Sequence, residues 1–357
     1  MATYYFGWES LAEWGTEGDT AGTAYGTAVT PTEGFAWLRS ATINADTHTE
    51  PVFNISGAKG RNWDQAYKER METTASLDFW LPNNFATAAC YDLWLLKLPV
   101  NAYNSSNGGS CYVIPHSAYV SNELLGITLE IGHNKAEHVR AHKLAGCVAD
   151  RFTLRAREGR PVECSMDLIA RTSLFNMSTF SSGVATRGTG KPLDWSNCYV
   201  YYADDGTLTT VTDITEFEFT IDNNLEPKYD LYGGSATQEF NRVVVGKQDI
   251  TGSFTIDLST TAGLEFYNAM CNDSVKNYAN TNTVDEKECG IKICASNSDI
   301  ASNVYFRFSK VFIPNIPMDI DPAAQQKVTI PWTANYMRLI LNTPDTTNDP
   351  TNWDVQS

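Results

Sequence analysis

The stretch GKQDITGSFTIDL, Gly246–Leu258, alternates in character. Ile250, Gly252, Phe254, Ile256 and Leu258 are apolar or small, and Thr251, Ser253, Thr255 and Asp257 between them are polar. That two-residue period belongs to a strand with one buried face. A second stretch, RMETTASLDFWL at Arg70–Leu81, repeats it. Glu72 falls on Asp249, Thr74 on Thr251, Ala75 on Gly252 and Ser76 on Ser253, while Leu77, Phe79 and Leu81 fall on Phe254, Ile256 and Leu258.

The match extends in both directions. Upstream, LRSATINAD (Leu38–Asp46) resembles FEFTIDNN (Phe217–Asn224), and a long polar segment follows each. Downstream, NNFATAACYDLWLL (Asn83–Leu96) has helical spacing and TTAGLEFYNAM (Thr260–Met270) is its shorter counterpart. Polar loops follow, with NSSNGGS in one half and NYANTNT in the other. LLGITLEIG then matches GIKICAS. Last comes a pair of strands: Phe152, Leu154 and Ala156 align with Ile316, Met318 and Ile320, and Cys164, Met166 and Leu168 with Val328, Ile330 and Trp332. Alternation alone recurs trivially in β-rich chains. A fixed order of strands around one helix, met twice, points to an internal duplication.

This reading makes the chain mainly β, with two tandem domains, each a β-sandwich or partly rolled barrel with one α-helix. The expected boundaries are an N-terminal arm over 1–36, a first domain over 37–172, a connector over 173–197, a second domain over 198–342 and a tail over 343–357. A β-hairpin is expected around Asp205 and Gly206.

Composition bounds the function. The 357 residues are 42% hydrophobic and 19% charged, which marks a globular chain with room for two domains. The formal net charge of −16 excludes tight electrostatic binding of nucleic acid. Two readings of the acidity remain: solubility alone, or a surface that stays beside DNA without sticking to it. The eight cysteines form no CxxC pair, and MATYYFGWESLAEW lacks the basic start and apolar segment of a secretory signal. Thiols made in a reducing cytoplasm are therefore expected. No apolar run is long enough to cross a bilayer, so no membrane partner is expected.

The segments Asp46–Lys68 and Asn223–Val245 are long for connections inside a compact domain. They carry Phe53, Trp63, Tyr67, Tyr229, Tyr232 and Phe240. Aromatics on long arms suit contact between proteins, and ordinary packing on the parent domain is the other reading.

Catalytic and metal patterns do not emerge. His138 and His142, on one strand face, stand too far apart to converge on a metal as helical histidines do. ADDG lacks the spaced ligands of a calcium loop. No nucleophile elbow, P-loop or dinucleotide fingerprint occurs, and no carboxylate pair is singled out. No enzyme, cofactor or metal is expected. An adhesin or other β-sandwich binding module is the alternative from another class. Its aromatics would form a platform, whereas Trp8, Trp14, Trp37 and Trp63 are scattered.

TIDNNLEPKYDLYG, then Arg242, then VVVGKQDITGSFTIDL resemble the tail tube proteins of long-tailed phages and archaeal viruses. GTAVTPTEGFAWLRS, GITLEIG and LAGCVADRFTLRAREG in the first half match that family in order. The resemblance implies a structural virion protein, assembled in the host cytoplasm, whose rings stack into a hollow tail tube. One sheet of each domain would line the lumen, the long loop would reach the neighbouring ring, and viral double-stranded DNA would pass through on ejection. Single-domain relatives form hexamers, so a duplicated chain favours a homotrimer over a hexamer. The tape measure, tail terminator and baseplate proteins are implied partners, with a sheath left open, and a neck or baseplate ring component shares the fold. Asp78, Thr255 and Asp257, on the polar face of the repeated strands, are the lumen-facing candidates. Ordinary outer solvent is the other reading of that face.

Overall fold

The computed structural model describes residues 10–17, 26–46, 49–53, 63–68, 71–83, 95–100, 103–104, 111–113, 126–133, 140–178, 180, 186–187, 190–204, 207–229, 240, 242–267, 287–296, 299–314 and 327–341. The first half of the chain carries β1 (Ser10–Thr16), β2 (Glu33–Gly34), β3 (Leu38–Asp46), β4 (Thr49–Phe53), β5 (Trp63–Lys68), β6 (Glu72–Trp80), a short helix α1 (Lys97–Val100), β7 (Tyr103–Asn104), β8 (Cys111–Val113), β9 (Ile127–His133), β10 (Arg140–Arg157), β11 (Glu163–Ala170) and β12 (Thr172–Met177). The second carries β13 (Thr186–Arg187), β14 (Cys198–Asp204), β15 (Thr207–Val211), β16 (Ile214–Asp222), β17 (Leu225–Lys228), β18 (Arg242–Val245), β19 (Asp249–Asp257), a helix α2 over 261–267, β20 (Lys287–Ser296), β21 (Asp299–Phe312) and β22 (Lys327–Leu341).

One main antiparallel sheet runs β3–β6–β11–β10–β16–β19–β22. Two of its strands are long enough to leave it. The first part of β10 pairs with β9 and β12, and β9 with β1. The last part of β22 pairs with β21, which continues through β20 to β14 and β15. These extensions form a second layer. Phe219 of the main sheet lies 4.9 Å, ring to ring, from both Phe306 and Phe308 of β21. The sandwich or partial barrel expected from alternation is the observed fold.

The pairing order occurs twice. In the first half it is β3–β6–β11–β10–β9–β1, and in the second β16–β19–β22–β21–β20–β14. Irregularities recur with it. The β3–β6 register shifts between Leu38 and Ser40, and the β16–β19 register shifts between Ile214 and Glu216. Where β10 leaves the main sheet, Gly146 has φ +64°; at the same step of β21, Lys310 has φ +52°. A bulge with a left-handed residue bends the strand from one layer to the other. β9 and β20 correspond through Leu129 and Cys289, which face Leu144 and Phe308.

The segments between the repeated strands are hairpins rather than open loops: β4 pairs with β5, and β17 with β18. β14 pairs with β15, with Asp204 opposite Thr207, where the hairpin was expected; Asp205 and Gly206 themselves lie outside the described residues. β1, inside the sequence-read arm, pairs along its whole length with β9, and β12 crosses the expected start of the connector. α2 starts where Thr260 Oγ1 accepts the Gly263 amide at 3.0 Å, an N-cap, and buries Phe266 and Tyr267. Most of the first expected helix, and the aligned Ile316, Met318 and Ile320, lie outside the described residues.

The core differs between halves. Phe217, Phe219, Phe254, Phe306, Phe308 and Trp332 form one aromatic cluster in the second. The first is built largely from Leu77, Leu129, Leu144, Leu154, Met166 and Leu168. Gly252 sits under Trp332, and a Cβ there would meet the indole Cζ2 at 2.1 Å. In the first half Ala75 faces Leu168 at the equivalent point, so the residue that replaces glycine is matched by a smaller partner.

Candidate functional site

The main sheet has one buried and one polar face because each of its strands alternates. Across the polar face, backbone register aligns side chains into rows. One row runs Ser40, Asp78, Ser165, Thr153, Thr220, Thr251 and Thr333. Its neighbour places Arg151 between Asp167 and Asp222, and the row on the other side places Arg155 between Glu163 and Glu218. Beyond that, Arg157 faces Glu216, and Glu216 faces Thr255.

Hydrogen bonds tie these rows together. Asp78 accepts Ser40 Oγ at 2.6 Å and Ser165 Oγ at 2.7 Å, and Asp167 accepts Ser76 Oγ at 2.6 Å. Thr153 meets Thr220 and Thr255 meets Thr329, each at 2.9 Å. Glu216 accepts both Arg155 Nε and, at 3.0 Å, Arg157 Nη2, while Glu218 lies 3.2 Å from Arg155. Burial pushes the Glu216 carboxyl up, but the hydrogen bonds from Arg157 and Arg155, with their charges, bring it below the ordinary carboxylate value. The same partner raises the Arg157 guanidinium above its usual value.

Three arginines therefore stand on one strand, β10: Arg151 and Arg155 lie between carboxylates of both neighbours in register, and Arg155 and Arg157 pair with Glu216 and Glu218 of β16. A guanidinium held between carboxylates offers little free positive charge to a phosphate. Sequence reading missed this ladder. Its signal was present: DRFTLRAR and TEFEFTID place arginines and acids at alternate positions of two strands, a complementary pattern legible once the strands are known to pair.

The lumen-facing candidates all lie on this face. Asp78 stands mid-sheet in the first half, and Thr255 stands at its equivalent position in the second. Asp257 ends β19, opposite Lys327, and accepts the Ser259 amide and hydroxyl at 2.9 and 2.6 Å, so it also shapes the turn into α2. The six aromatic candidates separate. Phe53 and Trp63 are cross-strand neighbours in the β4–β5 hairpin, and Tyr67 lies opposite Glu50. Tyr232 lies outside the described residues. Phe240 is buried 6.2 Å from the ring of Tyr229, whose hydroxyl donates to the Met71 carbonyl at 3.2 Å. These two pack within the chain.

A second feature is the joint between the halves, where β10 pairs with β16. Asn223 is fully buried there and donates to the carbonyls of Pro99 and Ala149 at 3.0 and 2.8 Å. Asp150 accepts the Leu225 amide at 2.7 Å, and burial raises its carboxyl above the ordinary value even so. The joint has a second contact: β8, from the first half, pairs with the free edge of β22.

Among the described residues no three His, Cys, Asp or Glu side chains gather as metal ligands would, and no helix is long and apolar enough to cross a membrane. His142 packs its ring 5.3 Å from Phe175. A search of curated proteins returns no match. The family described as phage tail tube protein matches residues 126–334, more than half of the chain, from β9 to β22. The chain is thus a structural component of a virion tail, and it belongs to the phage tail tube protein family.

Proposed function

We propose that three copies of this chain close into a ring of six similar units, that rings stack head to tail into a hollow tube, and that viral double-stranded DNA passes through it. The observation that carries the proposal is the β10–β16 ladder. It joins the halves edge to edge within one sheet. β16 and β3 are counterparts, yet among the described residues the outer edge of β3 has no neighbour, and Arg39, Ser40, Thr42 and Asn44 are exposed. An interface that repeats the internal joint between copies makes head-to-tail contacts that close. Six such units also fit an internal duplication as the origin of the two halves.

In this ring the polar face of the main sheet lines the lumen, with Asp78, Thr255 and Asp257 on it. Its hydroxyls, carboxylates and shielded arginines let a polyanion slide without capture. The β4–β5 and β17–β18 hairpins reach the adjacent ring; Phe53, Trp63, Tyr67 and Tyr232 make that contact, while Tyr229 and Phe240 anchor the second hairpin. The protein acts without catalysis. Its further partners are the tape measure, the terminator, the baseplate and, in a contractile tail, a sheath.

Electron microscopy of the purified chain at rising concentration tests this. Tubes of threefold rings with a lumen wide enough for duplex DNA are expected. Single rings that never stack would mean a neck or baseplate role. A persistent monomer, or rings of six chains, would overturn the threefold closure.

A further inference from the structure

We infer that Asp150, on the first half of the chain, and Asn224, at the foot of β17, are positioning residues for ring stacking: together they fix the angle at which the β17–β18 hairpin stands. This rests on the reading that the hairpin reaches the adjacent ring, and deepens it by naming what aims the hairpin.

β17 and β18 make a sheet of two strands, separate from the main sheet. Two strands alone are barely stable in water, so the direction of such an arm is set by what grips it. The length of the arm makes the grip matter. Its four paired residues span about 13 Å, and a tilt of about 20° at the base carries the far end about 4 Å. A displacement of that size breaks a direct contact with a neighbouring ring.

The base is built around a buried pivot. Asn223 is fully buried and uses its whole carboxamide: Nδ2 donates to the carbonyls of Pro99 and Ala149 at 3.0 and 2.8 Å, and Oδ1 accepts Gln248 Nε2 at 2.7 Å. Its backbone amide donates to the Asp150 carbonyl at 2.8 Å. Two residues on, the first amide of β17, that of Leu225, donates to Asp150 Oδ1 at 2.7 Å. Between them Asn224 turns the chain with φ +46°. Its carbonyl accepts the Gly246 amide at 3.1 Å, and its Nδ2 donates to the Lys247 carbonyl at 2.7 Å. The two feet of the hairpin are thereby held together so closely that a Cβ on Gly246 would meet the Asn224 carbonyl at 2.5 Å.

The partners share an origin. Pro99, Ala149 and Asp150 belong to the first half, and so does Met71, whose carbonyl accepts the Tyr229 hydroxyl at 3.2 Å farther along the arm. The second half carries this hairpin and the first half aims it. Asp150 does so as a hydrogen-bond acceptor rather than as a charge. It is half-buried, and burial, followed by the charges of Asp222 and Asp167, disfavours its ionised form.

The test compares the parent chain with Asp150→Ala, Asp150→Asn and Asn224→Gly by electron microscopy at rising concentration. Asp150→Ala removes the acceptor for Leu225. Its rings should form as the parent's do, while the concentration at which rings stack into tubes should rise by about tenfold. Asp150→Asn keeps an oxygen in that place and should stack at the parent's threshold. Asn224→Gly keeps the left-handed turn, removes the bond to Lys247 from an exposed residue, and should raise the threshold as Asp150→Ala does. Unchanged stacking in Asp150→Ala overturns the inference while tubes leave the ring reading intact, and so does a loss that Asp150→Asn shares. Ring formation that falls in step with stacking marks a general structural role and also overturns it. A parent that forms rings but no tubes overturns the stacking reading and the inference together. Should Asp150→Ala fail to fold, Asn224→Gly decides, and an unchanged threshold there rejects the inference.

Discussion

Ile43 and Phe219 occupy the same position in the two halves, and they do different work. Ile43 sits on the edge strand β3, half-buried, beside Ala75 and Leu77. Phe219 sits between β10 and β19, fully buried, and touches the rings of Phe152, Phe217, Phe306 and Phe308. One pairing scheme thus supports an aliphatic unit whose edge has no neighbour among the described residues and an aromatic unit whose edge is covered. The difference separates what the fold requires from what the neighbour requires. Alternation and register are common to both; bulk follows from which strand is enclosed.

The largest effect should come from breaking the enclosed member. Phe219→Ala removes the hub of the aromatic cluster and should cost about 4 kcal/mol in urea unfolding below the assembly concentration. Ile43→Ala should cost about 1 kcal/mol, since its site is half open and collapses readily. Equal losses at the two positions would mean that the halves are packed alike after all.

Next comes the contact between Gly252 and Trp332. Gly252→Ala should cost about 3 kcal/mol, because the added methyl meets the indole at 2.1 Å, Cε2 at 2.4 Å and the Glu218 carbonyl at 2.6 Å. Trp332→Leu recreates the pair that the first half uses, Leu168 over Ala75. The double variant Gly252→Ala with Trp332→Leu should therefore be more stable than the sum of the single losses, by about 1 kcal/mol or more in a double-mutant cycle. Additivity would show that the two positions are not coupled through this contact.

These two pairs also show what sequence could carry. Ala75 against Gly252 is visible in an alignment of the halves, and so is Leu168 against Trp332. That one exchange permits the other is not, because strand partners β6–β11 and β19–β22 are far apart in sequence. The strands, the second helix and the pairing of β14 with β15 were legible from local period and turn chemistry. Boundaries were not: β1 and β12 complete the second layer through pairing with β9 and β10, which no local pattern announces. The hairpins in Asp46–Lys68 and Asn223–Val245 were hidden by polar composition, and Phe240 by the absence of periodicity around it. On the polar face, Asp78, Thr255 and Asp257 could be assigned to one side by alternation, whereas the arginine ladder required the pairing of β10 with β16.

A smaller effect should separate the internal joint from the edge that mirrors it. Glu216 carries the Arg155 and Arg157 contacts; its counterpart on β3 is Ser40, which instead donates to Asp78. Glu216→Gln should cost about 1 kcal/mol near neutral pH, the scale of a partly exposed pair. The carboxyl of Glu216 lies below its unfolded value, so its contribution is present above the ordinary carboxylate range and is lost as pH falls through the folded value. Asp150 acts in the opposite sense, since its raised carboxyl favours the fold on the acid side and loses that advantage as pH rises. In an acid titration of stability, Glu216→Gln should flatten the loss that the parent chain shows, and Ser40→Ala should leave that slope unchanged. A parent slope identical to that of the Gln variant would remove the ion pair from the account of the joint.

The smallest effect concerns the bulge that bends β10 and β21. Gly146 and Lys310 solve one geometry in two ways. At Gly146 a Cβ would meet the Arg171 side chain at 2.8 Å and the Gly26 Cα at 3.1 Å, so glycine is required by space as well as by φ. Lys310 is exposed, its side chain reaches over Tyr336 with Nζ 5.6 Å from the ring centre, and only the backbone is strained. A left-handed conformation costs a lysine about 1–2 kcal/mol. Replacing it by glycine relieves that strain but returns conformational freedom to the unfolded chain, worth about 0.4–1 kcal/mol, and gives up the contact with the ring. The balance favours Lys310→Gly by about 0.5 kcal/mol, a rise in the urea midpoint with unchanged slope. A fall instead would mean that the lysine over Tyr336 outweighs the strain, and that the bulge in the second half is held by its side chain where the first half relies on its backbone.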